Sequence, residues 1–282
     1  MSDRVVLWVG SGLVDPDAAT VAWSDHGLTV GDGVFETIEL RYGRPFALTR
    51  HLDRLERSCR GLGFDAPPAD DVRRAVESVS REWGPEGGRL RITVTTGSGP
   101  MGSERGAGPL TLVVSATPMV VRTDPTTVLT VPFTRNERGA LAGLKTTSYA
   151  ENVVALQMAQ EAGASEGVFA NTLGMLCEGT GSNVFVAVDG ALSTPPLSSG
   201  CLAGVTRALL LEALDDAGVP ATEADTPIDR WPEVDEAFLV STGRHVQPIS
   251  HIDGVALPLA PGPLTTAAAR VWQDAYADAV DP

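Results

Sequence analysis

Residues 177–185, Cys-Glu-Gly-Thr-Gly-Ser-Asn-Val-Phe, place an acidic residue at the head of a glycine-rich turn that leads into an apolar strand. Taken alone, this turn is weakly informative, because glycine is the usual residue of tight turns. Its meaning depends on a second feature upstream. Lys145 is the only lysine of the chain, since the 21 basic residues comprise 20 arginines and this one lysine.

The single lysine points to covalent chemistry. A lysine amine can become a neutral nucleophile, whereas an arginine guanidinium stays protonated. A chain that uses arginine for nearly all of its positive charge and keeps one lysine is therefore expected to use that amine as a Schiff-base lysine. The alternative at this point is that an arginine-rich composition has left one lysine by chance.

Further motifs accompany Lys145 and Glu178. They are Gly-Asp-Gly-Val-Phe-Glu at 31–36, His-Leu-Asp-Arg-Leu at 51–55, Gly-Leu-Lys-Thr-Thr-Ser-Tyr-Ala-Glu-Asn at 143–152, Gly-Cys-Leu-Ala-Gly-Val-Thr-Arg at 200–207 and Val-Ser-Thr-Gly-Arg at 240–244. In their order and separations, all of these segments together resemble the fold-type IV family of pyridoxal-phosphate enzymes, from about Gly31 to Pro248. That family, the class IV aminotransferases, includes branched-chain aminotransferases, D-amino-acid aminotransferases, (R)-amine transaminases and aminodeoxychorismate lyases.

The resemblance implies pyridoxal 5'-phosphate as the cofactor and Lys145 as the catalytic residue. Lys145 would form a Schiff base with the cofactor aldehyde and then carry a proton between substrate and cofactor. Glu178 would keep the pyridine nitrogen protonated, and its place in a Glu-Gly-Thr-Gly-Ser-Asn run ahead of a strand favours this role over the alternative of an acid that caps a turn. Tyr149 resembles the tyrosine that binds the cofactor phenol oxygen. Leu202 resembles the apolar residue on the ring face, with a core leucine as the alternative.

The cofactor phosphate requires hydrogen-bond donors. A helix predicted over Ala203–Ala217 offers the free N–H groups and the positive end of its first turn. The resemblance adds an arginine of the 51–55 segment, which could otherwise be a solvated helix arginine. The residues expected at the phosphate are Arg54, Val205, Thr206, Ser241 and Thr242.

Strand alternation places Phe35, Thr37 and Glu39 on one face, and the resemblance implies that this face lines the substrate pocket. Gly243 and Arg244 occupy the turn that holds the substrate carboxylate in branched-chain enzymes. We hypothesise that Arg244 anchors the substrate anion, because arginine can bind a carboxylate through two hydrogen bonds. A surface arginine that points to solvent is the competing interpretation.

The expected reaction is aminotransfer from an amino acid or amine to a 2-oxo acid by a ping-pong cycle. The alternative is 4-amino-4-deoxychorismate lyase, which releases pyruvate and 4-aminobenzoate, because such lyases tend to have threonine at the position of Thr37. The pair Ser148-Tyr149 is closer to the aminotransferase pattern. The Arg-x-His carboxylate trap of D-amino-acid aminotransferases is absent from residues 98–106.

Composition excludes several classes of partner. The net charge of -15 and the pI of about 4.6 argue against nucleic acid and against an anionic membrane surface. Three widely spaced cysteines without a CxxC pair indicate a reduced, cytoplasmic protein. Four histidines lack the spacing of a metal site, so no metal is expected. The resemblance implies a homodimer that takes a small amino donor and an oxo-acid acceptor.

Strands and helices alternate irregularly, which favours an α+β (mixed α/β) fold over a doubly wound sheet. Locally, we expect a strand at Thr20–Trp23 and a helix that Thr49 caps at its N-terminus. The residues Gly97–Gly108, rich in glycine and serine, are expected to form an exposed loop. The predicted divisions are a small N-terminal subdomain over 1–117, a linker over 118–125 and a larger cofactor-binding C-terminal subdomain over 126–282.

Overall fold

The computed structural model describes residues 4–282 and divides them into two compact units. The first change of unit follows Val120, within the segment predicted as a linker. One difference from the prediction concerns Lys145, whose segment belongs by its contacts to unit 1 rather than to the C-terminal unit. Unit 1 comprises residues 4–120, 144–149 and 280–282, and unit 2 comprises residues 121–143 and 150–279.

Unit 1 contains a six-stranded sheet in the order β2-β1-β6-β5-β3-β4, in which all neighbouring strands are antiparallel. The long pairing of β3 with β5 sets Thr37 opposite Arg91 and Phe35 opposite Thr93. The strands are β1 (Val6–Val9), β2 (Gly12–Val14), β3 (Gly33–Arg41), β4 (Arg44–Pro45), β5 (Gly88–Thr95) and β6 (Thr111–Thr117).

Two amphipathic helices cover one face of this sheet. Helix α2 packs against β3, and helix α3 packs against β1 and β6. Apolar residues recur every three or four positions along both helices, and they meet the alternate apolar residues of the strands in one core. The helices of unit 1 are α1 (His26–Thr29), α2 (Leu48–Gly61) and α3 (Ala69–Trp83).

Two local predictions in unit 1 are wrong. Residues 20–23 form no strand, and the chain there turns into α1. Thr49 is not the N-cap of α2, because the helix already begins at Leu48 after Ala47, whose φ is 54°. The free N–H of Thr49 is instead bound by the carboxylate of Asp281 at 2.9 Å. A distant residue therefore supplies the cap that the local sequence lacks.

Unit 2 contains a nine-stranded mixed sheet. Its strand order is β12-β11-β10-β13-β14-β7-β8-β9, with β15 paired to β14. Strand β7 runs parallel to both of its neighbours, β14 and β8. The strands are β7 (Thr126–Arg135), β8 (Glu166–Asn171), β9 (Leu176–Gly179), β10 (Asn183–Val188), β11 (Ala191–Thr194), β12 (Ala221–Glu223), β13 (Glu236–Ser241), β14 (His245–Ile252) and β15 (Val255–Ala256).

Three helices pack on the sheet of unit 2. Helix α4 lies against β7 and β8, whereas α5 and α6 contact each other and β13. The buried carboxylate of Glu236 accepts hydrogen bonds from the N–H groups of Leu264 and Thr265, and so caps α6. The helices are α4 (Ala150–Glu161), α5 (Val205–Asp216) and α6 (Pro263–Tyr276).

None of the helices within residues 4–282 is long and apolar enough to cross a membrane. In the same residues, no group of three or more His, Cys, Asp or Glu side chains is arranged to hold a metal ion.

All three cysteines are buried free thiols, and we predict that they are unreactive in the folded protein. Burial raises the pKa of Cys59 to about 12 and that of Cys201 to about 11, and it raises the pKa of Cys177 as well. At pH 8, roughly a thousandth of Cys201 would be thiolate. Iodoacetamide followed by mass spectrometry should label no thiol in the native protein and three after denaturation. Native alkylation at the denatured rate would contradict this prediction.

Candidate functional site

The backbone around Lys145 is tied to the start of β3. The N–H of Phe35 donates to the carbonyl of Lys145 at 3.0 Å, and the N–H of Thr147 donates to the carbonyl of Gly33 at 2.8 Å. The N–H of Lys145 donates to the hydroxyl of Ser58 on α2 at 3.2 Å. Hydrogen bonds with β3 and with α2 therefore fix the position of the lysine backbone.

The Lys145 side chain lies among aromatic rings. Its Nζ is 4.4 Å from the centroid of Phe35 and 5.8 Å from that of Tyr149. The two rings meet edge to face, with centroids 5.1 Å apart. Among the predicted residues, Lys145, Tyr149 and Phe35 are therefore brought together within unit 1.

Arg91 is a further charged residue of this cluster that the sequence analysis did not single out. Its guanidinium carbon lies 3.8 Å from the centroid of Phe35, and burial lowers the pKa of Arg91. The signal was present in β5, where Arg89, Arg91 and Thr93 alternate with three apolar residues. Arg91 puts a positive charge against the ring that the lysine amine also contacts, an arrangement suited to attracting an anionic group.

The two faces of β3 have different surroundings. Glu36 lies on the face that meets α2, where it is fully buried, whereas Thr37 and Glu39 lie on the opposite face. The carboxylate of Glu39 accepts a hydrogen bond from Nε of Arg41 at 2.8 Å. The substrate-pocket role of Phe35, Thr37 and Glu39 remains a prediction.

Arg54 is buried, so the alternative of a solvated helix arginine is wrong. It is only 5% exposed, and it donates from Nε and Nη2 to the two oxygens of Glu36 at 2.8 and 2.6 Å. His51 shares the same carboxylate at 2.7 Å. Burial alone would raise the pKa of Glu36, but the charge and hydrogen bonds of Arg54, with the hydrogen bond of His51, lower it to about 2. The phosphate-binding role of Arg54 remains a prediction.

We predict that Glu36 makes unit 1 sensitive to acid. Its pKa of about 2 lies below the ordinary value of 4.5, so its contribution to stability is complete above pH 4.5 and disappears as the pH falls towards 2. Glu36→Gln should lower the free energy of unfolding by roughly 3 kcal/mol at pH 7, because Arg54 keeps its charge without a charged partner. Chemical denaturation at several pH values measures the difference, which should shrink below pH 4.5.

The matched control is Glu56→Gln. Glu56 pairs with Arg60 on the exposed side of α2, the helix that also carries Arg54. An exposed pair contributes at most about 1 kcal/mol. Equal destabilisation by the two variants would contradict the assigned importance of the buried carboxylate.

The 97–108 loop is mostly exposed, as expected, but it is anchored at Arg105. The guanidinium binds both oxygens of Asp32 at 2.7 and 2.8 Å, and the carbonyls of Leu62 and Gly63 at 2.7 and 2.9 Å. The hydrogen bond from Arg105 is the largest cause that lowers the pKa of Asp32. The loop is thus fastened to the turn that precedes β3.

In unit 2, Glu178 is held by two groups. One oxygen accepts a hydrogen bond from the N–H of Leu202 at 2.9 Å, and the other lies 3.4 Å from Nε of Arg135. Arg135 is further positioned by the ring of Phe169, 4.2 Å away, and by Glu151. The carboxylate of Glu178 therefore lies beside a positively charged side chain within unit 2. No local sequence signal identified Arg135, since its contact with Glu178 is purely tertiary.

The N-terminus of α5 has the features of an anion site. Val205 and Thr206 are its first two residues, and both are buried. Within residues 4–282, no side chain caps the helix. Its N-cap is Gly204, where a Cβ atom would lie 2.0 Å from the side-chain oxygen of Asn183. Asn183 in turn binds the carbonyl of Leu202 at 2.9 Å. The uncapped N–H groups and the helix dipole are suited to a phosphate.

The turn between β13 and β14 holds the remaining predicted residues of unit 2. It contains Thr242, Gly243 and Arg244, and it follows Ser241, the last residue of β13. Arg244 is only 9% exposed, so the interpretation as a surface arginine is wrong. Its guanidinium donates to Glu166 and to the carbonyl of Ser165, each at 3.1 Å. The anchor role of Arg244 remains a prediction.

The predicted site residues therefore form two groups, one in each unit. Unit 1 holds Phe35, Thr37, Glu39, Arg54, Lys145 and Tyr149. Unit 2 holds Glu178, Leu202, Val205, Thr206, Ser241, Thr242, Gly243 and Arg244.

Comparison with known proteins identifies the family. The model of the amino-transferase class IV family matches residues 33–252, which is most of the chain. The chain belongs to the class IV aminotransferases. The resemblance found in the sequence is thereby confirmed, and so are pyridoxal phosphate as the cofactor and the expected type of enzyme, a transaminase.

Three similar proteins illustrate the range of the family. A D-alanine aminotransferase of Bacillus licheniformis is 32% identical over 271 residues, which is 90% of each chain. A branched-chain-amino-acid aminotransferase of Pseudomonas aeruginosa is 30% identical over 269 residues, covering 90% of this chain and 87% of the other. A hypothetical aminotransferase from Mycobacterium tuberculosis, solved in its PLP-bound form, has a TM-score of 0.86 at 28% identity, with 96% of this chain and 98% of that chain covered.

The fold prediction is confirmed as well, because the two sheets and six α-helices of residues 4–282 form an α+β arrangement that matches fold-type IV structures. The residues fit the cofactor by their chemistry. Lys145 offers an amine for the aldehyde, Glu178 a carboxylate for the ring nitrogen, and α5 an uncapped N-terminus for the phosphate.

Proposed function

We propose that this class IV aminotransferase passes an amino group from an amino acid or amine to a 2-oxo acid in a ping-pong cycle, with Lys145 as the catalytic residue. The supporting observation is that the only lysine has a fixed backbone and an amine that lies against Phe35 and Tyr149. The cofactor, when bound, supplies an electron sink for the substrate carbanion. Lys145 Nζ would bind its aldehyde covalently and, once released, move the substrate proton.

Residues of unit 2 would hold the cofactor. Glu178, which lies beside the guanidinium of Arg135, would maintain a proton on the ring nitrogen. Leu202 would pack on the ring face. Its N–H bond to Glu178 supports this assignment, because it fixes the leucine next to that acid in space. The phosphate would accept hydrogen bonds from the first N–H groups of α5 and from the hydroxyls of Thr206, Ser241 and Thr242.

Residues of unit 1 would complete the chemistry. Tyr149 would bind the cofactor phenol oxygen, and Arg54 would be a further phosphate donor. Phe35, Thr37 and Glu39 would line the substrate pocket, a role supported by the contact of the lysine amine with Phe35 on the same strand face. From unit 2, the turn at Gly243 would bind the substrate carboxylate.

The alternative function is 4-amino-4-deoxychorismate lyase. The observation that favours it is Thr37, whose hydroxyl-bearing side chain occupies the same face of β3 as Phe35. A hydroxyl there could deliver a proton to the departing pyruvate. The absence of an Arg-x-His trap in the 97–108 loop argues against a D-amino-acid donor, whereas the D-alanine aminotransferase relative argues for testing one.

We also propose a cytoplasmic homodimer that takes small-molecule substrates and binds neither nucleic acid nor membrane. The net charge of -15 supports the proposed lack of nucleic-acid and membrane binding, because it disfavours contact with polyanionic surfaces. The three reduced cysteines are consistent with a reducing compartment.

Borohydride reduction tests Lys145 directly. Reduction of the holoenzyme followed by peptide mass mapping should place the cofactor adduct on Lys145 alone. Lys145→Ala should remove the adduct and lower kcat by about a thousandfold, because the proton carrier is lost. A label at another residue, or full activity of Lys145→Ala, would be incompatible with the proposed role.

Single half-reactions separate the two activities. We expect an amino donor alone, from a panel of L-valine, L-leucine, D-alanine and an (R)-amine, to abolish the visible absorption of the bound cofactor, and an oxo acid to restore it. Thr37→Val should leave this half-reaction within about threefold of wild type, since the hydroxyl is not needed for aminotransfer. No response to any donor, combined with pyruvate release from aminodeoxychorismate that Thr37→Val abolishes and Thr37→Ser retains, would establish the lyase instead.

A further inference from the structure

Glu166, the first residue of β8, is a buried carboxylate that the sequence analysis did not single out. It is 2% exposed. One oxygen accepts hydrogen bonds from the N–H of Thr180, at 3.1 Å, and from the Thr180 hydroxyl. The other accepts from the hydroxyl of Ser182 at 3.0 Å. Both partners lie in the turn that directly follows Glu178, so Glu166 fixes that turn from inside unit 2.

The same carboxylate also holds a second turn. Its Oε2 accepts a hydrogen bond from Nη2 of Arg244 at 3.1 Å. Nη1 of Arg244 donates to Gln247, which itself donates to the carbonyl of Asp124 at 2.8 Å. The guanidinium of Arg244 is therefore engaged by groups of its own unit, and Glu166 links the turn after Glu178 to the turn at 242–244.

The turn after Glu178 is packed closely against Glu166. At Gly179, a Cβ atom would lie 2.5 Å from the hydroxyl of Ser182 and 3.1 Å from Cγ of Glu166. Burial lowers the pKa of Arg244, and the charge of Glu166 opposes that effect. Two buried charges that satisfy each other are costly to separate, since removal of one leaves the other desolvated and unpaired.

We propose that Glu166 and Arg244 are a positioning pair that fixes the position of the turn after Glu178 relative to the turn at 242–244. In this arrangement Arg244 does not itself bind the substrate carboxylate. The inference rests on the proposed function, because these two turns carry Glu178, Thr242 and Gly243, which are assigned to cofactor and substrate. The coupling of the two turns through one carboxylate is, however, also present in the protein without cofactor.

The test uses Glu166→Gln, Arg244→Met and the double variant, with Ser182→Ala as a milder change that removes one hydrogen bond to Glu166. The matched control is Glu236→Gln, because Glu236 is also a buried glutamate of unit 2 and caps α6. Hydrogen–deuterium exchange is measured on the full chain without added cofactor. Pyridoxal phosphate titration, followed by visible circular dichroism, and steady-state kinetics then use the same proteins.

In the expected result, Glu166→Gln and Arg244→Met each accelerate amide exchange in both turns and raise the Kd for pyridoxal phosphate about tenfold. The double variant should be within about threefold of the single variants, because the two residues act as one unit. Ser182→Ala should accelerate exchange at 179–182 with a smaller rise in Kd. Glu236→Gln should accelerate exchange only at the start of α6, with unchanged Kd.

Two results would overturn the inference. The first is unchanged exchange at 242–244 in Glu166→Gln together with unchanged exchange at 179–182 in Arg244→Met. The second is an Arg244→Met enzyme with a raised KM for carboxylate substrates but normal exchange and normal cofactor affinity, which would restore the anchor role. Failure of the proposed function would give a different result, namely wild-type protein that binds no pyridoxal phosphate. The exchange measurements would still show whether Glu166 and Arg244 couple the two turns.

Discussion

The hydrogen bonds between residues 145–147 and the first residues of β3 are the constraint on which the chemistry proposed for this protein depends. Residues 121–143 and 150–279 belong to unit 2, yet the short stretch between them, residues 144–149, is part of unit 1. Backbone pairing at Gly33 and Phe35 holds it there. A lysine side chain is long and flexible, so the fixed backbone and the adjacent Phe35 ring decide where its amine lies.

The side chains of β3 alternate between the core of unit 1 and the opposite face, where the predicted pocket residues lie. Ile38 and Leu40 point into the core with Glu36, whereas Phe35 and Thr37 face the other way. The sequence was sufficient to predict this division, and it predicted helix α5 to within two residues at each end, because apolar periodicity and helix ends are local properties. Strand β14 was missed, because Pro248 interrupts its pattern and its partners β7 and β13 are found only in the folded chain.

The charged residues show the limit of sequence reasoning more sharply. Four arginines occur in α2, and nothing local distinguishes Arg54 from the others until Glu36 is seen beside it. Likewise, Thr49 looked like a cap, but the acid that binds its N–H is 232 positions away. Ion pairs of this kind are set by tertiary contact, so their partners could not be paired from the sequence alone.

The scarcity of lysine has a consequence for how the molecule can be observed. Because Lys145 is the only side-chain amine, a protein grown with isotopically labelled lysine carries one labelled side chain, located at the reacting centre of the proposed chemistry. Its magnetic resonance signal would need no assignment by mutagenesis. The outer surface, built from guanidinium and carboxylate groups, stays silent in such a spectrum, so every change in the signal reports on the neighbourhood of one nitrogen atom.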